Sequence, residues 1–115
     1  MSWKIEQLAE IFQVADEAAK AADSGPENDG GSCNFDSPVF MIPNARKSKI
    51  EAAAELAGIR VYGYKMFGGT EWHLQCTLNG QANRRTKMAE AATKAMRDLI
   101  SLIPNMTVRT YYALD

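Results

Sequence analysis

Residues 59–78 read IRVYGYKMFGGTEWHLQCTL, and this stretch decides the fold. Two β-rich runs, 59–67 and 71–78, flank Gly68-Gly69, and a glycine pair between alternating segments is a strong hairpin signal. With a side-chain period of two, Trp72, Leu74 and Cys76 share one face of the second strand, and Ile59 and Val61 share one face of the first. Arg60, Tyr62 and Tyr64 then lie on the opposite face.

Upstream of this hairpin, Asn44 is placed to cap a helix over 45–57 that stops at Gly58. Before it, 35–42 reads as a strand, with Pro38 pointing to an edge position or an irregular start. Residues 23–32 are a Gly- and Pro-punctuated loop. Ser2 is placed to cap a first helix over 3–22, whose stripe is Ile5, Leu8, Ile11, Phe12, Ala15, Ala19 and Ala22. Downstream, a helix over 81–102 presents Met88, Ala91, Ala92, Ala95, Met96, Leu99 and Ile103 inward, stops at Pro104-Asn105, and leads to a strand over 106–113. The order α-β-α-β-β-α-β predicts an α+β fold, a mostly antiparallel four-stranded sheet with helices packed on one face.

At 115 residues the chain reads as one domain, 1–115, made of an N-terminal helix (1–23), a loop (24–34) and a sheet with two helices (35–115). Its hydrophobic content of 46% and charged content of 23% are those of an ordinary globular protein. No apolar run is long enough to cross a membrane, and the acidic, amphipathic start lacks an export pattern, so a cytoplasmic location is expected. Cys33 and Cys76 then read as free thiols. The net charge of −1 conceals a polarity: residues 1–45 balance at −6 and residues 46–115 at +5. Such polarity can guide an anion to one region or pair acidic and basic surfaces, unless folding simply mixes the charges.

Catalytic signatures are largely missing. The single histidine, His73, and the lack of HExxH, CxxC, Walker A and G-x-S-x-G patterns remove support for zinc hydrolysis, P-loop phosphoryl transfer and the α/β-hydrolase triad. His73 reads as a surface or hydrogen-bonded strand histidine that can still donate to a ligand. Glu27, Asp29 and Asp36 lack EF-hand spacing and read as a solvated acidic loop, and Asp29-Gly30-Gly31-Ser32 as a plain loop; no metal and no cofactor is expected.

Two helix starts conflict with helix electrostatics. Arg84, Arg85 and Lys87 open the last helix, and Arg46, Lys47 and Lys49 open the second, although the positive end of the helix dipole disfavours cations by about 0.3–1 kcal/mol each. An anion relieves both conflicts, because backbone N–H groups and Arg side chains converge on one phosphate. Tyr62, Tyr64, Trp72, Tyr111 and Tyr112 offer stacking surfaces, and at least two of these rings are expected to be structural.

Asn28-Asp-Gly-Gly-Ser-Cys-Asn-Phe-Asp36 and Gly80-Gln-Ala-Asn-Arg-Arg-Thr-Lys-Met-Ala-Glu-Ala91 together resemble phage-encoded Thoeris anti-defence sponges of the first-described type. The resemblance covers most of the chain from about residue 28. It implies a non-enzymatic protein that sequesters, without cleaving, a cyclic ADP-ribose signal in pockets between subunits of a homo-oligomer. Some members are also similar in holding cyclic oligonucleotides at a separate site. Family pockets use Arg, Asn and aromatic side chains, which the resemblance places at Asn83, Arg84 and Arg85. Arg46, Arg109 and one of Trp72 or His73 join them on the charge and ring arguments.

Two other functions fit the same residues. Basic helix starts and a tyrosine-bearing strand also suit an RNA or single-stranded DNA module, against which the sequence pI of 5.8 counts. An acidic first helix also suits a protein-binding inhibitor, such as an anti-CRISPR, that mimics DNA; deleting 1–22 is then expected to spare a pocket built from later segments.

Overall fold

A computed structural model describes residues 3–23, 25, 36–66, 68–76, 78 and 82–112, with the side chains of 82 and 83 excepted. The elements are α1 (Ile5–Ala21), β1 (Ser37–Met41), α2 (Lys47–Ala57), β2 (Arg60–Met66), β3 (Gly69–Gln75), α3 (Ala82–Arg97), a 3-10 turn (Ile100–Leu102) and β4 (Thr107–Tyr111). The expected α+β order is therefore observed, and every strand pair is antiparallel, in the order β2-β3-β1-β4.

That order interleaves two βαβ units. β1 runs parallel to β2 with β3 between them, and β3 runs parallel to β4 with β1 between them, which is the split βαβ arrangement. The hairpin forms where the glycine pair predicts it, with Gly69 already in β3 and paired with Met66, and Gly68 at φ 100°. Val61 faces Leu74 and Gly63 faces Trp72 on the helix side of the sheet. Gly63 is required there, since a Cβ would lie 3.0 Å from the Trp72 ring.

Helix boundaries differ from the sequence reading where capping decides them. Ser2 lies outside the described residues, and α1 starts after Lys4, whose N–H donates to Gln7 Oε1 at 2.7 Å. Asn44 does not cap α2. It takes a left-handed φ of 63° in the turn after β1, and the helix begins three residues later behind Arg46, with no side-chain cap. Gly58 does end α2, at φ 73°, with Ile59 N–H donating to Ala54 O at 3.0 Å, a Schellman closure. Helix α3 stops at Arg97 rather than continuing to 102, and the 3-10 turn brings Ile103 into the core.

Phe12, Leu8 and Ile11 of α1, Met88 and Met96 of α3 and Ile50 of α2 pack on Phe40, Leu74 and Trp72 of the sheet. Phe12 meets Phe40 with ring centroids 5.3 Å apart. Because α1 supplies part of this core, deleting 1–22 removes packing that the sheet needs, and the inhibitor test expected from sequence does not spare the rest of the fold. Buried Thr93 is satisfied, donating to Ala89 O at 2.9 Å while accepting from Thr110 of β4 at 2.7 Å. Among the described residues no helix is long and apolar enough to cross a membrane.

Both rings of the Phe12–Phe40 pair are at most 1% exposed. Phe12→Ala is expected to lower unfolding free energy by about 3–5 kcal/mol in urea titration.

Candidate functional site

The two basic helix starts part company in the structure. Arg85 at the start of α3 donates through Nε to Asp36 O at 3.0 Å, at the head of β1, while Arg46 follows the far end of the same strand. Five strand residues span about 17 Å, so one anion within one chain does not serve both starts.

At α3 the electrostatic conflict is resolved internally. Arg84 forms a two-pronged pair with Asp23, Nε to Oδ1 at 2.6 Å and Nη2 to Oδ2 at 3.0 Å, with side chains only 14% and 25% exposed. Thr86 Oγ1 donates to Asp36 Oδ2 at 2.7 Å, and Asp36 is 3% exposed. Acids from the first 45 residues thus meet cations from the last 70, which is where part of the charge polarity goes. Asp36 is accordingly not a solvated loop carboxylate. Asn83 lies in the first turn of α3 with its side chain outside the described residues; Glu27 and the Asp29–Ser32 segment lie wholly outside them.

At α2 no such acids are present. The first turn holds Lys47, Ser48 and Lys49 and no acidic residue, and Arg46 is exposed in extended backbone at φ −74°, ψ 137°. Among the described residues no carboxylate pairs with Arg46, Lys47 or Lys49. Beside this turn is a cavity of about 390 Å³ lined by Trp3, Asn44, Arg46, Lys49, Pro104 and Asn105, together with Pro43 and Ala45. Two Pro-Asn turns, Pro43-Asn44 and Pro104-Asn105, thus border one concavity, each with its asparagine left-handed at φ 63° and 62°. Asparagine tolerates this region because its short amide bonds locally. Lys49 reaches across to donate to Trp3 O and lies 3.9 Å from the Trp3 ring centre. The wall therefore carries two cations, two amides and no carboxylate, a donor set for an anionic ligand with hydrogen-bonding edges.

The remaining candidates separate to the two faces of the sheet. Trp72 is 5% exposed, in the core on the helix side, and its rim borders a groove of about 510 Å³ with Lys47, Glu51, Gly63 and Lys65. His73 and Arg109 lie on the other face. Ser37 Oγ lies 3.1 Å from His73 Nδ1, so the imidazole is a hydrogen-bonded strand histidine, held edge-on between Tyr64 and Tyr111 at 4.9 and 5.0 Å. Arg109 forks onto Glu71, at 3.0 and 2.7 Å. Burial lowers the His73 pKa below its usual value, Glu71 opposes this, and Arg109 lowers it further. Burial pushes the Cys76 thiol up to about 12, so it is no nucleophile at neutral pH. Among the described residues no group of three or more His, Cys, Asp or Glu could hold a metal ion.

Taken singly, Trp3 and Asn105 do not point to a site in the sequence; Lys49 counts there only as a helix-start cation, and Asn44 only as a cap. The available signal is the repeated Pro-Asn dipeptide, which reads as punctuation when each copy is taken alone. No protein-family model, curated protein or solved structure matches this chain.

Asp23→Ala removes both of the charge-assisted bonds that Asp23 accepts from the mostly buried Arg84, and a loss of about 1–3 kcal/mol in urea unfolding is expected. His73 binds its proton less readily folded than unfolded, so the stability it contributes is complete above the unfolded value near 6.5 and declines as pH falls through the lower folded value. Melting temperature is therefore expected to drop from about pH 6.5 downward, and His73→Gln to flatten that part of the curve.

Proposed function

We propose that this protein sequesters a cyclic nucleotide, of the cyclic ADP-ribose type, without cleaving it, as an anti-defence sponge acting in the cytoplasm of a phage-infected cell. The observation that carries the reading is the acid-free cavity at the first turn of α2, where Arg46 and Lys49 face Asn44 and Asn105. Arg46 holds phosphate through charge-assisted bonds, at the positive end of the α2 dipole. The asparagine amides supply donors and acceptors for base or ribose edges. The volume of about 390 Å³ falls in the usual range for small-molecule sites.

The site is centred on Arg46 rather than on Arg84, whose guanidinium is paired with Asp23. Depletion of a signal needs affinity rather than turnover, and a nanomolar site corresponds to about −12 kcal/mol. Several charge-assisted bonds and ligand burial supply this after ordering costs. Assembly into a homo-oligomer belongs to the same proposal, resting on the resemblance.

Calorimetric titration with cyclic ADP-ribose isomers is expected to show binding, with intact ligand recovered after heat denaturation. Arg46→Ala is expected to weaken it by about tenfold or more. No heat with any isomer, or recovery of an opened product, overturns the reading.

A further inference from the structure

We propose that the face of the sheet opposite the helices binds single-stranded nucleic acid, with Tyr62, Tyr64 and Tyr111 as stacking platforms and Arg60 and Arg109 as phosphate contacts. The proposal does not depend on the cavity at α2, which lies beyond the end of β1.

The helices contribute their apolar side chains to the core on one face of the sheet, together with Leu74, Trp72 and Phe40. The strand register fills the other face row by row. Tyr62, His73, Val39 and Arg109 form one row; Tyr64, Glu71, Met41 and Thr107 the next; Arg60, Gln75, Ser37 and Tyr111 the third. Tyr62, Tyr64 and Tyr111 are 46, 56 and 38% exposed, whereas Val39 among them is fully covered. What this face offers to solvent is therefore mostly aromatic and polar rather than aliphatic, with Met66 at the end of β2 as the exception. A ring with a hydroxyl edge stacks on a nucleobase while its polar rim stays hydrated. A second protein copy or a lipid surface is matched by exposed aliphatic side chains, which are scarce here.

The rings are also positioned in advance. Tyr64 and Tyr111 each meet the His73 ring edge-on, and Ser37 anchors that ring from below, so less side-chain freedom is lost on binding. Cations stand on both outer strands, Arg60 on β2 and Arg109 on β4. The one carboxylate among the described strand residues of this face, Glu71, is 8% exposed and already bonded to Arg109, whose side chain remains 49% exposed. The acidic sequence pI of 5.8 describes this surface only at its β2 edge, where Glu51 and Glu55 of α2 border grooves with Arg60, Tyr62 and Tyr64; Asp23 and Asp36 are engaged at α3, and Glu6, Glu10 and Glu17 belong to α1 on the helix side. Stacking needs bases whose faces are free, which selects a single strand over a duplex.

Fluorescence anisotropy with labelled ten-nucleotide oligo-dT and oligo-U, titrated with the full chain across a salt series, tests this. Binding is expected to weaken with salt at a log–log slope of about −1.4, for two phosphate contacts on a single strand. Tyr64→Ala and Tyr111→Ala are each expected to lose at least about fivefold in affinity, while Tyr64→Phe keeps it. Arg60→Ala is expected to reduce the slope by about 0.7. Arg46→Ala, which tests the α2 cavity, is expected to leave oligonucleotide affinity unchanged. The proposal is overturned by no binding at low salt, by equal affinity for a duplex of the same length, or by Tyr64→Ala and Tyr111→Ala variants that are folded by circular dichroism and bind as the parent does. A dimer that Tyr64→Ala dissociates, with no oligonucleotide binding, overturns it too and makes the face a contact between copies.

Discussion

A carboxylate buried to 3% exposure at the head of a central strand must find donors, and Asp36 finds the Thr86 hydroxyl while its backbone carbonyl accepts from Arg85. Those donors lie in the first two turns of α3 and dock its start on the head of β1. The same arrangement, with Asp23 beside it, supplies the negative charge that a cation-rich helix start otherwise lacks. With α3 docked on β1, Thr93 reaches Thr110, and β4 closes the second side of β1. Much of the polar order on this side of the molecule follows from one acid that cannot reach water.

Most of the fold is legible in the amino-acid sequence. Gly68-Gly69 and the alternation of Trp72, Leu74 and Cys76 specify the hairpin and its inner face, because turn chemistry and side-chain period are local properties. Gly58 marks a helix end for the same reason. Boundaries set by nonlocal contacts are not legible: Asn44 carries the composition of a cap, yet its left-handed backbone serves a turn, and α3 yields to a 3-10 turn so that Ile103 can be buried.

The site is legible only in part, for a related reason. Charge at a helix start is visible in sequence, so Arg46 and Arg84 both stand out. Whether that charge is already neutralised depends on acids about 50–60 residues away in the chain. Asp23 and Asp36 have the local setting of loop residues but are partners of α3. The pairing of two Pro-Asn turns around one cavity is equally hidden, since β1 and β4 must be neighbours before the turns that border them can meet. What distinguishes α2 from α3 is thus a difference of surroundings rather than of sequence pattern.

The split βαβ arrangement has a further consequence for how this chain acquires its shape. β1 is formed by residues 37–41, yet both of its neighbours come later, β3 at 69–75 and β4 at 107–111. Only the β2–β3 hairpin joins strands adjacent in sequence. During synthesis, therefore, β1 has no partner until the hairpin emerges, and no second partner until residues 107–111 are made. Its pairings carry the loop-closure cost of long separations, which slows folding relative to a chain of local contacts. Until then one edge of β1 stays unpaired, and the nascent chain is most open to aggregation before β4 arrives.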